Sequence, residues 1–356
     1  MTIMPDKAKN RKPNLIIFNL EVDSNSKVLA ASADWIKSFS YLCENVYVFS
    51  THVGEFDLPR NVKVRELGGG NLFKKIRWMT LGFYSFFISM KLKRPKVVFH
   101  HMSQYTAIHP GLLFRLLFIR QGLWYAHAQK NLSLVVAEKI VNRTFTSAPG
   151  AFPVKSRKLK YLGQGVNTDV FQKVFELNRG KPRMGLISVG RIDSAKNLDQ
   201  LLVDLDQNTK LEIEFLGRND NQEYFKKLIS IAQTKELNLK ILSDKKYIEI
   251  PGYLVKRNYY FCGTRLAVDK AVIEAAACGC IIISTNKNVL QLTGMAKIYS
   301  NLEMKIPEGI QSQINVFEAL DPRKIEEIRY EISRLTCEQN NVKNTTNLIL
   351  NELILN

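Results

Sequence analysis

The residues of this chain best suited to chemistry fall in its second half. In Ser188-Val-Gly-Arg-Ile-Asp-Ser-Ala-Lys-Asn197, a strand-like run ends at Gly190, where the backbone can turn sharply. Arg191 and Lys196 then bracket a short loop that leads into a helix. Two cations beside a helix N-terminus, with its unpaired N–H groups, suit a diphosphate. The plainer alternative is a strand-to-helix turn with two solvated charges. A second run, Val272-Ile-Glu-Ala-Ala-Ala-Cys-Gly-Cys-Ile-Ile-Ile-Ser284, reads as a small-residue helix, a turn at Gly279 and a strand. Its Glu274 stands among apolar neighbours, where a carboxylate costs free energy unless it is bonded. A pair of ribose hydroxyls would satisfy it, and so would a buried Lys or Arg. A third run, Gly165-Val-Asn-Thr-Asp-Val-Phe171, reads on its own as a turn.

The first half offers histidines at strand ends: His100 and His101 after Val97–Phe99, and His127 after Leu123–Ala126. Ligands of open α/β sheets bind beyond the carboxyl ends of the strands, so both places point towards a cleft. A structural histidine is the alternative at each. His127 is not read as a nucleophile, because no neighbouring acid or base completes such a site. The loop after the first strand, with Asp23 and Ser24, is polar enough to hold ligand hydroxyls or phosphate. It also reads as an ordinary surface loop.

These residues need a scaffold of alternating strands and helices. Apolar runs at Asn14–Leu20, Val46–Ser50, Val62–Leu67, Val97–His101, Leu123–His127 and Thr144–Ser147 are separated by helical stretches, starting with Ala30–Leu42. The pattern restarts with strands at Gly185–Gly190, Leu211–Gly217, Leu239–Leu242, Tyr259–Cys262 and Ile281–Ser284. Such alternation means βαβ units and parallel sheets. The expected fold class is therefore α/β, two domains in series, joined in the polar stretch 166–183. The boundaries expected are 1–167 for the first domain, 168–336 for the second, and 337–356 for a last helix. Ile325–Asn356 reads as helical, with a polar interruption near Asn340–Thr346.

The formal net charge is +18. Residues 1–170 hold 25 Lys and Arg against 10 Asp and Glu, a net of +15; residues 171–356 hold 26 against 23, a net of +3. The first half is thus expected to meet something anionic. Phe73–Lys96 is apolar and aromatic in the middle with cations at both ends, and Leu112–Arg120 is a second basic, apolar stretch. Both suit an anionic membrane surface, and both also suit core helices with solvated ends. No run reaches the roughly 18 apolar residues of a spanning helix. Nucleic acid is disfavoured, because no zinc spacing, RNA-binding aromatic motif or helix-turn-helix pattern accompanies the charge. Five cysteines without metal-like spacing, after a polar start lacking the apolar core of a secretory signal, suggest reduced thiols in a cytoplasmic chain. Asp204-Leu-Asp206 falls at the end of a helix rather than after a strand, so it is not read as a metal-binding acidic pair, and no metal or cofactor is expected.

Gly165–Phe171, Val189–Asn197 and Ile273–Ile282 together resemble, in this order, three segments of the retaining GT-B glycosyltransferases of family 4. The family shows Gly-Val-Asp-x-x-x-Phe on leaving the first domain, Val-Gly-Arg-x-x-x-x-Lys-Asn at the second domain's first strand, and Leu-Glu-Ala-x-Ala-Cys-Gly-x-Pro-Val-Val further on. The resemblance covers the second half well and the first in outline. It implies two Rossmann-like domains facing a central cleft, with the C-terminal helix packing back on the first. It implies transfer of a hexosyl unit (class EC 2.4), with retention, from a nucleotide-diphosphate sugar, UDP or GDP. The acceptor would be a glycan or a lipid-linked molecule in cell-surface polysaccharide or glycolipid synthesis, placing the chain on the inner face of the cell membrane. By the same resemblance Arg191 and Lys196, next to Gly190, would bind the diphosphate, and Glu274 the ribose. His127 would lie near the reacting sugar, and Asp23, Ser24 and His101 on the acceptor side. One departure stands out: the family's first glutamate, followed by Gly-Phe-Gly, would fall at Leu266, and the chain continues Ala267-Val-Asp-Lys270 instead. Some branches of the family carry such an Asp-Lys pair, so Asp269 or Lys270 is expected to take over a donor contact. They could equally be the first-turn charges of a helix. The missing glutamate keeps open a GT-B protein without transferase activity, epimerase-like or a degenerate partner subunit.

Overall fold

The computed structural model describes residues 11–23, 31–66, 74–207, 209–265 and 267–355, with backbone alone for 31 and 74–82. The chain divides into two compact units, Met1–Gly165 with Val342–Asn356, and Val166–Asn341.

In the first unit β1 (Asn14–Val22), α1 (Ala31–Leu42), β2 (Asn45–Val53), β3 (Val62–Glu66), α2 (Lys74–Lys91), β4 (Lys96–His101), α3 (Gln104–Leu116), β5 (Arg120–Trp124), α4 (Leu132–Ile140), β6 (Arg143–Thr146) and β7 (Leu159–Tyr161) follow one another. The sheet order is β3-β2-β1-β4-β5-β6-β7, and the paired strands are parallel. β1 is apolar on both faces because both faces are covered. Leu15 and Ile17 enter one cluster with Trp35, Phe39, Phe99 and Phe145, while Ile16 and Phe18 enter another with Phe49, Val98 and Phe114. The period of two along the strand thus splits one apolar run between two cores. β5 begins and ends three residues before the expected Leu123–His127, and β7 has no counterpart among the expected strands. Only three residues long and exposed at two of them, β7 lacks the apolar run by which a buried strand is read.

The second unit begins with α5 (Thr168–Leu177), where a polar connecting stretch is expected. Thr168, Phe171 and Phe175 form the buried stripe of this helix. Two aromatics one turn apart suffice for a helix when the other faces are wet, and so Gly165–Phe171 is more than a turn. Then follow β8 (Leu186–Val189), α6 (Leu198–Asp204), β9 (Ile213–Leu216), α7 (Gln222–Thr234), β10 (Leu239–Leu242), α8 (Ile250–Leu254), β11 (Tyr259–Phe261), α9 (Lys270–Ala277), β12 (Ile281–Ile283), α10 (Lys287–Leu292), α11 (Met295–Asn301), α12 (Ile310–Glu318) and α13 (Pro322–Asn340). This sheet has the order β10-β9-β8-β11-β12, again parallel.

A final helix, α14 (Val342–Ile354), belongs to the first unit, and Ile349, Leu350 and Leu353 lie in the cluster around Trp35 and Phe145. The helical end of the chain is thus two helices, broken at Asn341. No described helix is long and apolar enough to cross a membrane.

Candidate functional site

Chain order reverses between β8 and β11 in the second sheet, the place where an open α/β sheet leaves a crevice at its carboxyl edge. The motif residues converge there. Gly190 follows β8 at a φ of 129°, and its N–H reaches the Leu216 carbonyl at 2.9 Å. Gly217 ends β9 so close by that a Cβ on it would overlap the Gly190 carbonyl. The two strand ends can approach because neither carries a side chain. Asp193 then caps a short 3-10 turn, Ser194–Lys196, accepting from the Ala195 N–H at 3.1 Å. Asn197 sits in the left-handed region, φ 47°, and its Nδ2 donates to the Gly263 carbonyl at 2.6 Å. That bond ties the loop after β8 to the loop after β11.

Lys196 and Arg191 differ sharply. Lys196 lies inward, its Nζ donating to Asp269 Oδ2 at 2.6 Å and to the Val189 carbonyl at 3.2 Å. Burial alone would lower the pKa of this ammonium, but the Asp269 carboxylate more than offsets that and holds it above the usual lysine value. It is therefore charged at any pH of interest. The Arg191 guanidinium is exposed, with its nearest carboxylate on Asp193 at 3.7 Å. It can turn towards a ligand at little cost. Asp269 stands at the N-cap position of α9, and Lys270 opens the helix. Asp269 thus meets a cation of the protein itself; Leu266 lies outside the described residues.

Glu274 is buried, one turn into α9, and accepts a hydrogen bond from the Tyr247 hydroxyl at 2.9 Å. The Tyr247 ring packs edge-on against Phe171 at 6.0 Å between centroids. Residues of all three motif segments therefore meet in the second unit, with Tyr247 joining Phe171 of the third to Glu274 of the second. Nothing in its local sequence, Asp-Lys-Lys-Tyr, marked it. Cys262 borders Lys196 and Asp269, yet burial pushes its thiol up to about 11, and Cys278 and Cys280 are raised by the same cause. These are neutral thiols and make poor nucleophiles. Asp204 accepts from the backbone N–H groups of Ile310 and Gln311, so it caps α12.

In the first unit the chain order reverses between β1 and β4. His101, the last residue of β4, is buried against Trp35 at 4.8 Å, with Nδ1 3.1 Å from Asn19 Oδ1. His100 points to the other face, bonded to Thr106 at 2.9 Å and Gln121 at 3.2 Å, and burial lowers its pKa to about 4. It is a neutral core histidine. His127 lies beyond the end of β5 in an exposed loop, where its Nδ1 accepts from the Gln129 N–H at 3.1 Å. With Nδ1 accepting, Nε2 is the ring nitrogen that can donate. Asp23 is described and partly buried, while Ser24 lies outside the described residues. Glu21, Asp23 and His52 bring one ligand atom each within 4.8 Å of one another, a geometry that could hold a cation.

No family model and no curated protein matches the sequence. Solved structures match over nearly the whole length. The Anabaena protein HepE, solved in complex with UDP and glucose, aligns with a TM-score of 0.69 at 11% identity, covering 96% of this chain and 99% of its own. A glycosyltransferase from Rickettsia africae aligns at 0.71 and 11% identity, covering 97% and 99%. The trehalose 6-phosphate synthase of Burkholderia multivorans aligns at 0.64 and 10% identity, covering 96% and 98%. Alignment over nearly the whole length, together with two parallel, Rossmann-like sheets in series, gives this chain the GT-B fold.

Proposed function

We propose that the chain is a glycosyltransferase that takes a sugar from a nucleotide-diphosphate donor bound in the second unit. The observation that carries this reading is the convergence of Arg191, Lys196 and Glu274 at the switch point of the second sheet. The neighbours add weight: HepE was solved with UDP and with UDP-glucose, and a Burkholderia xenovorans synthase is UDP-forming. Arg191 and the N–H groups beside Gly190 meet the diphosphate. Lys196, fixed and charged, supplies a permanent positive potential beneath it. As the bond to the sugar breaks, negative charge grows on the leaving diphosphate, and preorganised cations stabilise it most at that moment. Glu274, held by Tyr247, accepts from the ribose hydroxyls. Asp269 serves this site by holding Lys196, with Lys270 beside it at the sugar end. In the first unit, His127, which can donate from Nε2, and His101 and Asp23 are the candidate substrate contacts. The donor is a UDP- or GDP-hexose, transfer proceeds with retention, and the acceptor is a glycan or a lipid-linked molecule.

The test is a thermal-shift screen of nucleoside diphosphates and nucleotide sugars, followed by transfer assays with the best binder. A ligand at one hundred times its dissociation constant stabilises by about 2.7 kcal/mol, a readily visible shift. No shift with any diphosphate would sink the reading. A shift without release of diphosphate from the donor in the presence of membrane extract would favour a GT-B protein that binds donor and does not transfer.

A further inference from the structure

Helix α2 carries two apolar stripes. Tyr84, Ile88 and the following Leu92 pack inward on the cluster of Phe18, Phe49 and Phe114. Phe83, Phe87 and Met90 point outward, each about half exposed. A helix apolar on opposite sides belongs in a core or against an apolar phase. On α3 Leu112 and Leu116 are also exposed, and Phe118, which is 89% exposed, follows the helix. Leu112, Leu116, Phe118 and Ile119 line a groove of about 760 Å³ together with Arg115 and Arg120. Phe118 also holds a φ of 55°, a conformation that costs an ordinary side chain free energy. Water repays neither the strain nor the exposed ring.

The topology gathers these residues at one edge. In parallel βαβ units the helices run against the strands, so the C-terminal ends of α2 and α3 lie at the amino edge of the sheet. Lys91 at the end of α2, and Lys93 and Arg94 after it, lie there, exposed and without an ion pair among the described residues. Arg120 opens β5 at the same edge. From residue 67 to residue 137 the sequence has ten Lys and Arg and no Asp or Glu. A second copy of this chain would bring like charges together, so the surface is not self-complementary. It combines apolar side chains that can enter an acyl layer with cations that meet phosphate headgroups.

We propose that the outer faces of α2 and α3, with the amino edge of the first sheet, dock on an anionic phospholipid bilayer. The opposite, carboxyl edge, with His101 and the loop after β5, then stays uncovered. The proposal does not depend on the donor-site reading, because lipid binding is measured without donor or transfer.

The experiment is co-sedimentation of the full chain with vesicles of phosphatidylcholine alone and of phosphatidylcholine mixed with phosphatidylglycerol. Binding to the mixed vesicles only is expected. Lys91→Gln/Lys93→Gln/Arg94→Gln should weaken it by about 100-fold, at roughly five-fold per cation near the surface. Leu116→Ser/Phe118→Asn should weaken it by about ten-fold or more; asparagine takes the left-handed region readily, so folding is retained. Circular dichroism confirms that each variant is folded. Absence of binding to the mixed vesicles, equal binding to both kinds, or undiminished binding by both variants overturns the proposal.

Discussion

Arg191 and Lys196 occur in one motif but are built for different work. Arg191 is exposed, so Arg191→Ala should leave stability within about 0.5 kcal/mol while lowering kcat for transfer by roughly 100-fold or more, the usual cost of losing a charge aimed at a developing anion. Denaturant unfolding and steady-state kinetics check the two halves of this statement. Lys196→Ala should cost stability as well, about 1–3 kcal/mol, because Asp269 is left part-buried without its cation. Adding Asp269→Asn should recover much of that stability and none of the activity. If the double variant regains transfer, Lys196 is structural only. Tyr247→Phe removes one hydrogen bond to Glu274, a loss of about 1 kcal/mol. Donor KM should rise several-fold with kcat nearly held, since the ribose contact is made in the ground state and the transition state alike.

At the scale of elements, the proposed donor site depends on how close β8 and β9 come at their carboxyl ends. Gly217→Ala places a methyl group on the Gly190 carbonyl, so the strands must part. The variant should lose nucleotide binding together with several degrees of melting temperature, whereas Gly252→Ala, with open space around it, should lose neither. Calorimetry of both variants separates a local steric effect from a general intolerance of added methyl groups. His100 acts at the same scale, bridging β4, α3 and β5 through Thr106 and Gln121. Its pKa is about 4 when folded against an ordinary 6.5, so the unfolded chain binds the extra proton between these values. Stability is then full above about pH 6.5 and falls as the pH drops towards 4, by at most roughly 3 kcal/mol. His100→Gln should flatten that part of the pH profile; an unchanged slope would assign it to other groups.

At the scale of the molecule, the chain leaves the first unit at Gly165 and returns to it at Val342. α14 contributes Ile349, Leu350 and Leu353 to the core beside Trp124 and Phe145, and a Cβ on Gly122 would press on Leu353. Deleting residues 342–356 opens that core, so the first unit should melt well below its normal temperature while the second keeps its own transition. Two resolved transitions in scanning calorimetry, only one of them shifted, are the expected result. A single unshifted transition would mean that α14 is dispensable.

Much of this was legible in the sequence because it is local. β1 and β8 announce themselves as short apolar runs, Gly190 as a strand end, and the Arg191–Lys196 spacing as a loop before a helix; such features follow from side-chain period and backbone freedom over a few residues. α5 was hidden because two phenylalanines among polar residues make a weak pattern until Gly279 and Cys278 press against them. Tyr247 and the Lys196–Asp269 pair were hidden for a stronger reason: their partners lie 27 and 73 positions away. The sequence alone thus determined the alternation of strands and helices, the two-sheet class and which residue types gather at the second sheet's switch point. Tertiary structure alone decided that Lys196 is buried and paired while Arg191 is exposed, that Glu274 is aimed by a tyrosine, and which residues of the last helix enter the first core. Those outcomes depend on distances between remote segments, which packing and desolvation set and no local pattern records.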